Sequence, residues 1–129
     1  MIINGKEIEF ELTIESIDSI SKMCPDGEYN KLSELYKGKT TAENYRIDFK
    51  IAKAMNEAHE NHIAYEARKN GINDYKKVIL TDDDFDFMNL SELNVMENAI
   101  LQTMRTGKST SVETQPVKSS GKKVSAVNK

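Results

Sequence analysis

The stretch from Thr40 to Gly71, TTAENYRIDFKIAKAMNEAHENHIAYEARKNG, constrains the chain more than any other, because nothing inside it interrupts a helix. Thr40 with Glu43 three residues later is a capping box, in which each side chain satisfies a free backbone N–H at the helix start. Asn70-Gly71 is a stop, since glycine takes the left-handed conformation that closes a helix at little steric cost. With no proline or glycine between, the helix can run about 43 Å at ~1.5 Å per residue. Placing residues about 100° apart gives two apolar ridges. One holds Tyr45, Phe49, Ala52, Ile63 and Ala67, with His59 beside it. The other holds Ile47, Ile51, Ala54, Met55, Ala58 and Tyr65, with His62 near it. Arg46, Lys50, Lys53, Glu57, Glu60 and Arg68 fall on the remaining side, and Asp48 and Glu66 lie between the ridges. A rod apolar on two sides needs more cover than one neighbour gives. It is either the central helix of a bundle, or it offers one ridge to another chain.

The flanking segments supply candidates for that cover. Met1-Ile2-Ile3 and the alternating Ile8-Glu9-Phe10-Glu11-Leu12 flank Asn4-Gly5, a two-residue hairpin turn, with Glu9 and Glu11 expected on the wet face. Such a hairpin is marginal alone and must lie on the helices or join a sheet edge. Thr13 caps a short helix with Ile14, Ile17, Ile20 and Cys24 on one face, broken by Pro25-Asp26-Gly27. Tyr29, Leu32, Leu35 and Tyr36 describe a second short helix, stopped near Gly38. After the long helix, Tyr75 and Val78-Ile79-Leu80 read as an extended pass over the core. Thr81-Asp82-Asp83-Asp84 starts another helix, the hydroxyl as cap and the carboxylates at the positive pole, with Phe85 and Met88 inward. Asn89 or Ser91 opens the last helix, whose buried side is Leu90, Leu93, Met96, Ile100 and Met104 and whose stop is Gly107. The expected fold is mainly α: a small helical bundle around one long central helix, with an N-terminal β-hairpin. Residues 1–106 form the domain. From residue 107 to 129 the sequence is small, polar and basic, and reads as a disordered tail that buries too little apolar surface to offset its ordering entropy.

Charge and cysteine content narrow the function classes. The net charge of −3 conceals an asymmetry, with five lysines and one glutamate from Gly107 onward, and thirteen basic against twenty acidic side chains before it. An acidic body without interleaved basic and aromatic residues disfavours nucleic-acid binding. Cys24 is alone, which excludes an intramolecular disulfide and suits a reducing cytoplasm. No stretch approaches the ~20 apolar residues of a membrane span, and MIINGKEIEF lacks the apolar run of a signal peptide. No membrane partner is expected.

Three fragments resemble chemical motifs and fail on spacing. His59-Glu60-Asn61-His62 sets its histidines three apart rather than the four of a zinc-protease helix, and no third histidine exists. The bland reading places both at the rim of an apolar ridge. Asp82-Asp83-Asp84-Phe85-Asp86 begins like a calcium loop, but Phe87 stands where glycine is needed and Leu93 where a bidentate glutamate is needed. Gly107-Lys108-Ser109 ends like a phosphate loop, yet Gln102 occupies the position of the leading glycine. With no nucleophile turn and two histidines in all, no catalytic residue, metal or cofactor is expected. Met88, Met96 and Met104 at helical spacing read as core.

The order of elements carries more than any motif. The hairpin Ile3-Asn4-Gly5-Lys6-Glu7-Ile8-Glu9-Phe10 leads to an isoleucine-rich helix from Thr13, a second short helix, a long central helix, the Thr81-Asp82-Asp83-Asp84 start and a polar tail. This pattern over residues 1–106 resembles the tail assembly chaperones of long-tailed phages, especially those of phages and prophages of Gram-positive bacteria. The resemblance implies a non-enzymatic protein of the host cytoplasm that keeps the tape measure protein soluble, helps the major tail tube protein polymerise around it, and is absent from the finished virion. It also implies a longer product made by a programmed frameshift, which Gly121-Lys122-Lys123 permits if encoded by GGA AAA AAG. A small structural component of the head or tail, retained in the virion, is the alternative. On the chaperone reading, Ile47, Ile51, Ala54, Met55, Ala58 and Tyr65 are the candidate surface for a tail protein or another copy of the chain. The competing expectation is that both ridges are covered within the chain.

Overall fold

Asn4 and Gly5 both take positive φ, 49° and 80°, the backbone that a two-residue turn between right-twisted strands requires. The computed structural model, which describes residues 1–109, accordingly opens on a hairpin. Strand β1 (Ile2–Ile3) pairs antiparallel with β2 (Lys6–Glu7), Ile2 opposite Glu7 and Ile3 opposite Lys6. The ladder is shorter than the alternation predicts. Ile8 still donates to the Met1 carbonyl at 2.7 Å, but Glu11 bridges to Lys108, beyond the last helix. Leu12 N–H donates to the Gly107 carbonyl at 2.8 Å and Ser109 N–H to the Phe10 carbonyl at 2.9 Å. Residues 107–109, expected in the tail, therefore belong to the folded unit. The disorder expected of the tail concerns residues 110–129, which lie outside the described residues.

Helix α1 (Ile14–Ser21) starts on a capping box between Thr13 and Ser16. Its buried face differs from the expected one: Ser16 and Ile20 are enclosed, whereas Ile14 is 81% exposed. The Ser16 hydroxyl accepts from Thr13 N–H at 2.8 Å and donates to the Glu11 carbonyl at 3.2 Å. Those bonds turn the position of Ser16 inward and Ile14, about 200° away, outward. Beyond Pro25–Gly27, the expected second α-helix is a 3₁₀ segment, Tyr29–Tyr36. Its apolar residues Tyr29, Leu32 and Leu35 recur every third position, which suits three residues per turn better than 3.6.

Helix α2 (Thr41–Lys69) has the predicted bounds. Thr40 and Glu43 form the capping box. At the other end Ile72 N–H reaches the Ala67 carbonyl and Gly71 N–H the Arg68 carbonyl, a Schellman closure with Gly71 at φ 81°. Most of both ridges is covered from within the chain, and Tyr65 is left open. Phe49 and Ala52 of one ridge and Ile51, Met55 and Ala58 of the other are buried. Helix α1, the 3₁₀ segment and the last helix pack on it. Ile3, Ile8 and Phe10 from the N-terminus and Leu80, Met96 and Ile100 from the C-terminal half complete the core. The fold is mainly helical with one small hairpin, as expected.

The extended pass runs back along α2, and polar side chains of the helix hold it. Asn56 Oδ1 accepts from Leu80 N–H at 2.9 Å while its Nδ2 donates to the Val78 carbonyl at 3.0 Å. One turn on, Glu60 Oε1 accepts from Val78 N–H at 2.8 Å and from the Tyr75 hydroxyl at 2.6 Å. Glu60, expected on the solvent side, is therefore buried. The strap ends at Thr81, which caps the short helix α3 (Asp82–Asp86), and Asn89 caps α4 (Leu90–Thr106). Met96, Ile100 and Thr103 form the buried side of α4. Leu90, expected with them, is 62% exposed, because at ~100° per residue it stands about 120° around the helix from Met96.

The strap's attachment gives a direct prediction. Asn56→Ala leaves the Leu80 N–H and the Val78 carbonyl without partners in the interior, at a cost of about 2–3 kcal/mol. Urea denaturation measures the loss, and hydrogen exchange should show protection falling first at Leu80.

Candidate partner-binding surface

The six residues expected to meet a partner do not form one surface. Ile51, Met55 and Ala58 are wholly inside the chain's own core, Ile47 and Ala54 are half-buried, and Tyr65 alone is open, with the Lys69 ammonium 5.2 Å from its ring centroid. The ridge is consumed by folding along its first two-thirds, because the chain wraps it with α1, the 3₁₀ segment and α4. A partner surface must be sought elsewhere.

The histidines do come together, on a residue that periodicity places in solvent. Glu11 is 8% exposed and its carboxylate lies between the two rings. Its Oε1 is 3.2 Å from His59 Nδ1 and its Oε2 is 2.8 Å from His62 Nδ1, while His62 Nε2 stands 3.6 Å from Glu66. Glu11 N–H also donates to the Met55 carbonyl at 3.1 Å. The cluster thus fastens the segment before α1 onto the middle of α2. No group of three His, Cys, Asp or Glu among the described residues is arranged to hold a metal ion. Nor are the acids at the head of α3 free ligands throughout. Asp84 Oδ2 is 2.8 Å from Lys6 Nζ and accepts from Thr81 N–H at 2.8 Å. Burial pushes the Asp84 carboxyl up, but the Lys6 ammonium and the Thr81 donors outweigh it and hold the group below its ordinary value. Glu11→Ala strips both imidazoles of their acceptor and should cost about 1–3 kcal/mol in urea denaturation.

Part of the apolar surface left uncovered lies on the two flanks of α4, while Ile14, Tyr65, Ile72, Tyr75 and Val78 are exposed elsewhere. On one flank a cleft of 470 Å³ separates the helix from the N-terminal strand: Val95 and Ala99 face Ile2, Ile8 and Phe10 across it, and Ser109 stands at its rim. On the other, a cleft of 460 Å³ divides α4 from the 3₁₀ segment, with Leu101, Ile100 and Met104 on one wall and Leu32 and Tyr36 opposite. Val95 and Leu101 are each about half exposed, and Leu90 continues the Leu101 flank toward the helix start. Phe87, in the turn before α4, is 76% exposed. None of these faces was visible as a binding surface in the sequence, where α4 has an ordinary amphipathic pattern.

The second cleft has a charged floor. Asp48, on α2, is 4% exposed and lines it, and Glu97 of α4 lines it as well. The Tyr36 hydroxyl donates to Asp48 Oδ1 at 2.7 Å, and among the described residues neither a hydrogen bond nor an ion pair reaches Oδ2. Burial pushes the Asp48 carboxyl up and the Glu97 charge adds to it, against the opposing pull of the tyrosine hydrogen bond. The same contact acts on the phenol, which burial first and then Asp48 hold protonated as a donor. No helix among the described residues is long and apolar enough to cross a membrane. Comparison with protein-family models, curated proteins and solved structures finds no match to this chain.

A raised carboxyl has a signed consequence for stability. Between the ordinary 3.8 and the higher native value the native state keeps a proton on Asp48 that the unfolded chain has already released, so its contribution is full below 3.8 and is lost as pH rises through the native value. Asp48→Asn preserves an acceptor for Tyr36 and removes the charge. Thermal melts should therefore give a higher Tm than the parent at pH 7, with the gain disappearing below pH 3.8.

Proposed function

We propose that this chain is a non-enzymatic assembly chaperone of the kind that serves long-tailed phages. It holds the tape measure protein in soluble form in the host cytoplasm, delivers it to the major tail tube protein, and departs before the virion is complete. The observation that carries the reading is the uncovered apolar surface on both flanks of α4, set in a domain whose long central helix is used for its own core along its first two-thirds. A holder of elongated helical clients needs such paired apolar surfaces on a rigid frame, and contiguous exposed apolar surface on a small domain marks interaction sites. The order of hairpin, short helix, long helix and acidic helix start supports the same reading by resemblance.

Co-expression with the tape measure protein of the same phage tests it. The expected outcome is a soluble complex that forms only when both chains are present. Val95→Asp and Leu101→Asp change half-exposed positions, cost the fold within about 0.5 kcal/mol, and should return the client to the insoluble fraction. A client equally insoluble with and without this chain would overturn the role. Peptide mass spectrometry of purified virions should lack the chain; its presence at a fixed copy number would assign it instead to the particle's structure.

A further inference from the structure

We infer that the cleft between Tyr29–Tyr36 and α4 receives a basic amphipathic helix of a partner protein, with one Lys or Arg of that helix reaching Asp48. The inference deepens the client-holding reading above and rests on it for the claim that a partner exists. Its own basis is the contrast among buried acids. Among the described residues Glu11, Asp48, Glu60 and Asp84 are the buried carboxylates. Glu11 lies between two imidazoles, Glu60 accepts from a hydroxyl and a backbone N–H, and Asp84 meets an ammonium and the Thr81 donors. Asp48 has the Tyr36 hydroxyl alone. Its free oxygen opens on a cleft in which Glu97 adds a second negative charge and which no basic side chain lines. A cation carried on an apolar surface satisfies what this site lacks, and an anion or a purely apolar segment does not.

The shape and the rest of the chain favour a helix from another protein. The cleft runs between two helical rods, and its α4 wall extends from Glu97 to Met104, about 10 Å or two turns at ~1.5 Å per residue. A third rod seated there would place apolar anchors one turn apart against Leu101, Met104 and Leu32, the helix-in-groove mode of recognition. The lysines of residues 110–129 are poor candidates on composition, since that stretch has no Leu, Ile, Met or aromatic residue to fill the walls. The chain also leaves Ser109 on the opposite flank of α4, at the rim of the other cleft. A second copy is the competing occupant, since the end of α2 exposes Tyr65 beside Arg68 and Lys69, and the dimer arm of the test below decides it.

The test uses the full chain and synthetic helical peptides carrying a fluorophore. One peptide has a leucine face bordered by lysines, the second keeps the leucine face and replaces lysine by glutamate, and the third keeps the lysines but scatters the leucines. Fluorescence anisotropy should show the first binding about tenfold or more tightly than either control, as a charge-assisted bond in a desolvated site implies. Asp48→Asn and Leu101→Ala should each weaken it by about tenfold, while circular dichroism shows both variants folded. Neutralising Lys118, Lys122, Lys123 and Lys129 to alanine should leave the affinity unchanged. The inference is overturned if the glutamate peptide binds equally, if the Asp48 and Leu101 variants bind like the parent, or if neutralising the four lysines raises affinity, which would make the chain's own C-terminal segment the occupant. It is also overturned if the parent is a dimer that Leu101→Glu converts to a monomer, which would make a second copy the occupant. Peptide failure with intact client solubilisation in co-expression refutes the cleft alone, whereas peptide binding with failed solubilisation refutes the chaperone role alone.

Discussion

Extended backbone that joins no sheet must find hydrogen-bond partners or stay in water, and in this protein α2 provides many of those partners. The strap before α3 shows how. Asn56 presents a carbonyl and an amide N–H to Leu80 and Val78 just as a facing peptide group of a neighbouring strand would. Glu60 repeats the service one turn later for Val78 N–H and the Tyr75 hydroxyl. On another side of the rod the Met55 carbonyl takes Glu11 N–H, and His59 and His62 take the Glu11 side chain. An orphaned buried backbone group costs about 1–3 kcal/mol, so these bonds matter as much as the apolar ridges they interrupt. They allow irregular segments to serve as walls of the core where a larger protein would use strands.

The same economy of structure ties the two ends of the chain together. Lys6 of the hairpin bonds both the Ile79 carbonyl and Asp84, and Asn4 donates to the Asp84 carbonyl at 2.9 Å, so the hairpin turn is held against the head of α3. Residues 107–109 pair with residues 10–12 at the far end of α4. The last helix is thereby fixed at its base on α2 and at its C-terminus, while its flanks between these anchors stay open. Apolar clefts on both sides of one helix follow from how few elements there are to cover it. Surface-to-volume scaling makes incomplete cover the usual condition of a domain this small.

Elements with strong local chemistry were legible in the sequence, and their orientation about the axis was less so. The bounds of α2, the start at Thr81, the Asn4-Gly5 turn and the stop at Gly107 follow from capping and positive-φ residues, whose preferences are set within a few bonds of the backbone. Ile14 and Leu90 were assigned to buried faces because periodicity counts apolar residues and ignores polar ones that fold inward. Ser16 and Thr103 took the inward positions by bonding to carbonyls of the preceding turn or segment. Glu11, Asn56 and Glu60 were unreadable for a related reason: their partners lie 15 to 51 residues away, and only the tertiary fold supplies them. The candidate ridge Ile47–Tyr65 is apolar as read, and the chain itself covers it at Ile51, Met55 and Ala58 while leaving Tyr65 open. A helix pattern shows that a face must be covered and does not say by which chain.

Asp48 is where those lines of reasoning meet. Sequence periodicity places it between two ridges, a position that the fold turns into the floor of a cleft. A leucine or methionine there would extend the core, and buried carboxylates without a cation are costly in a domain that has few kilocalories to spare. Every other enclosed acid in the described residues has the donors that make its burial tolerable. The one that does not sits at the bottom of an apolar cleft, beside an acidic neighbour and beneath a tyrosine that can only satisfy one oxygen. An enclosed acid with a single donor, where the others have two or more, is the kind of place where a chain gives up stability for recognition. The polarity of that exception also sets its direction: an enclosed carboxyl with the exposed Glu97 beside it rejects acidic surfaces like this domain's own and selects for a cationic one.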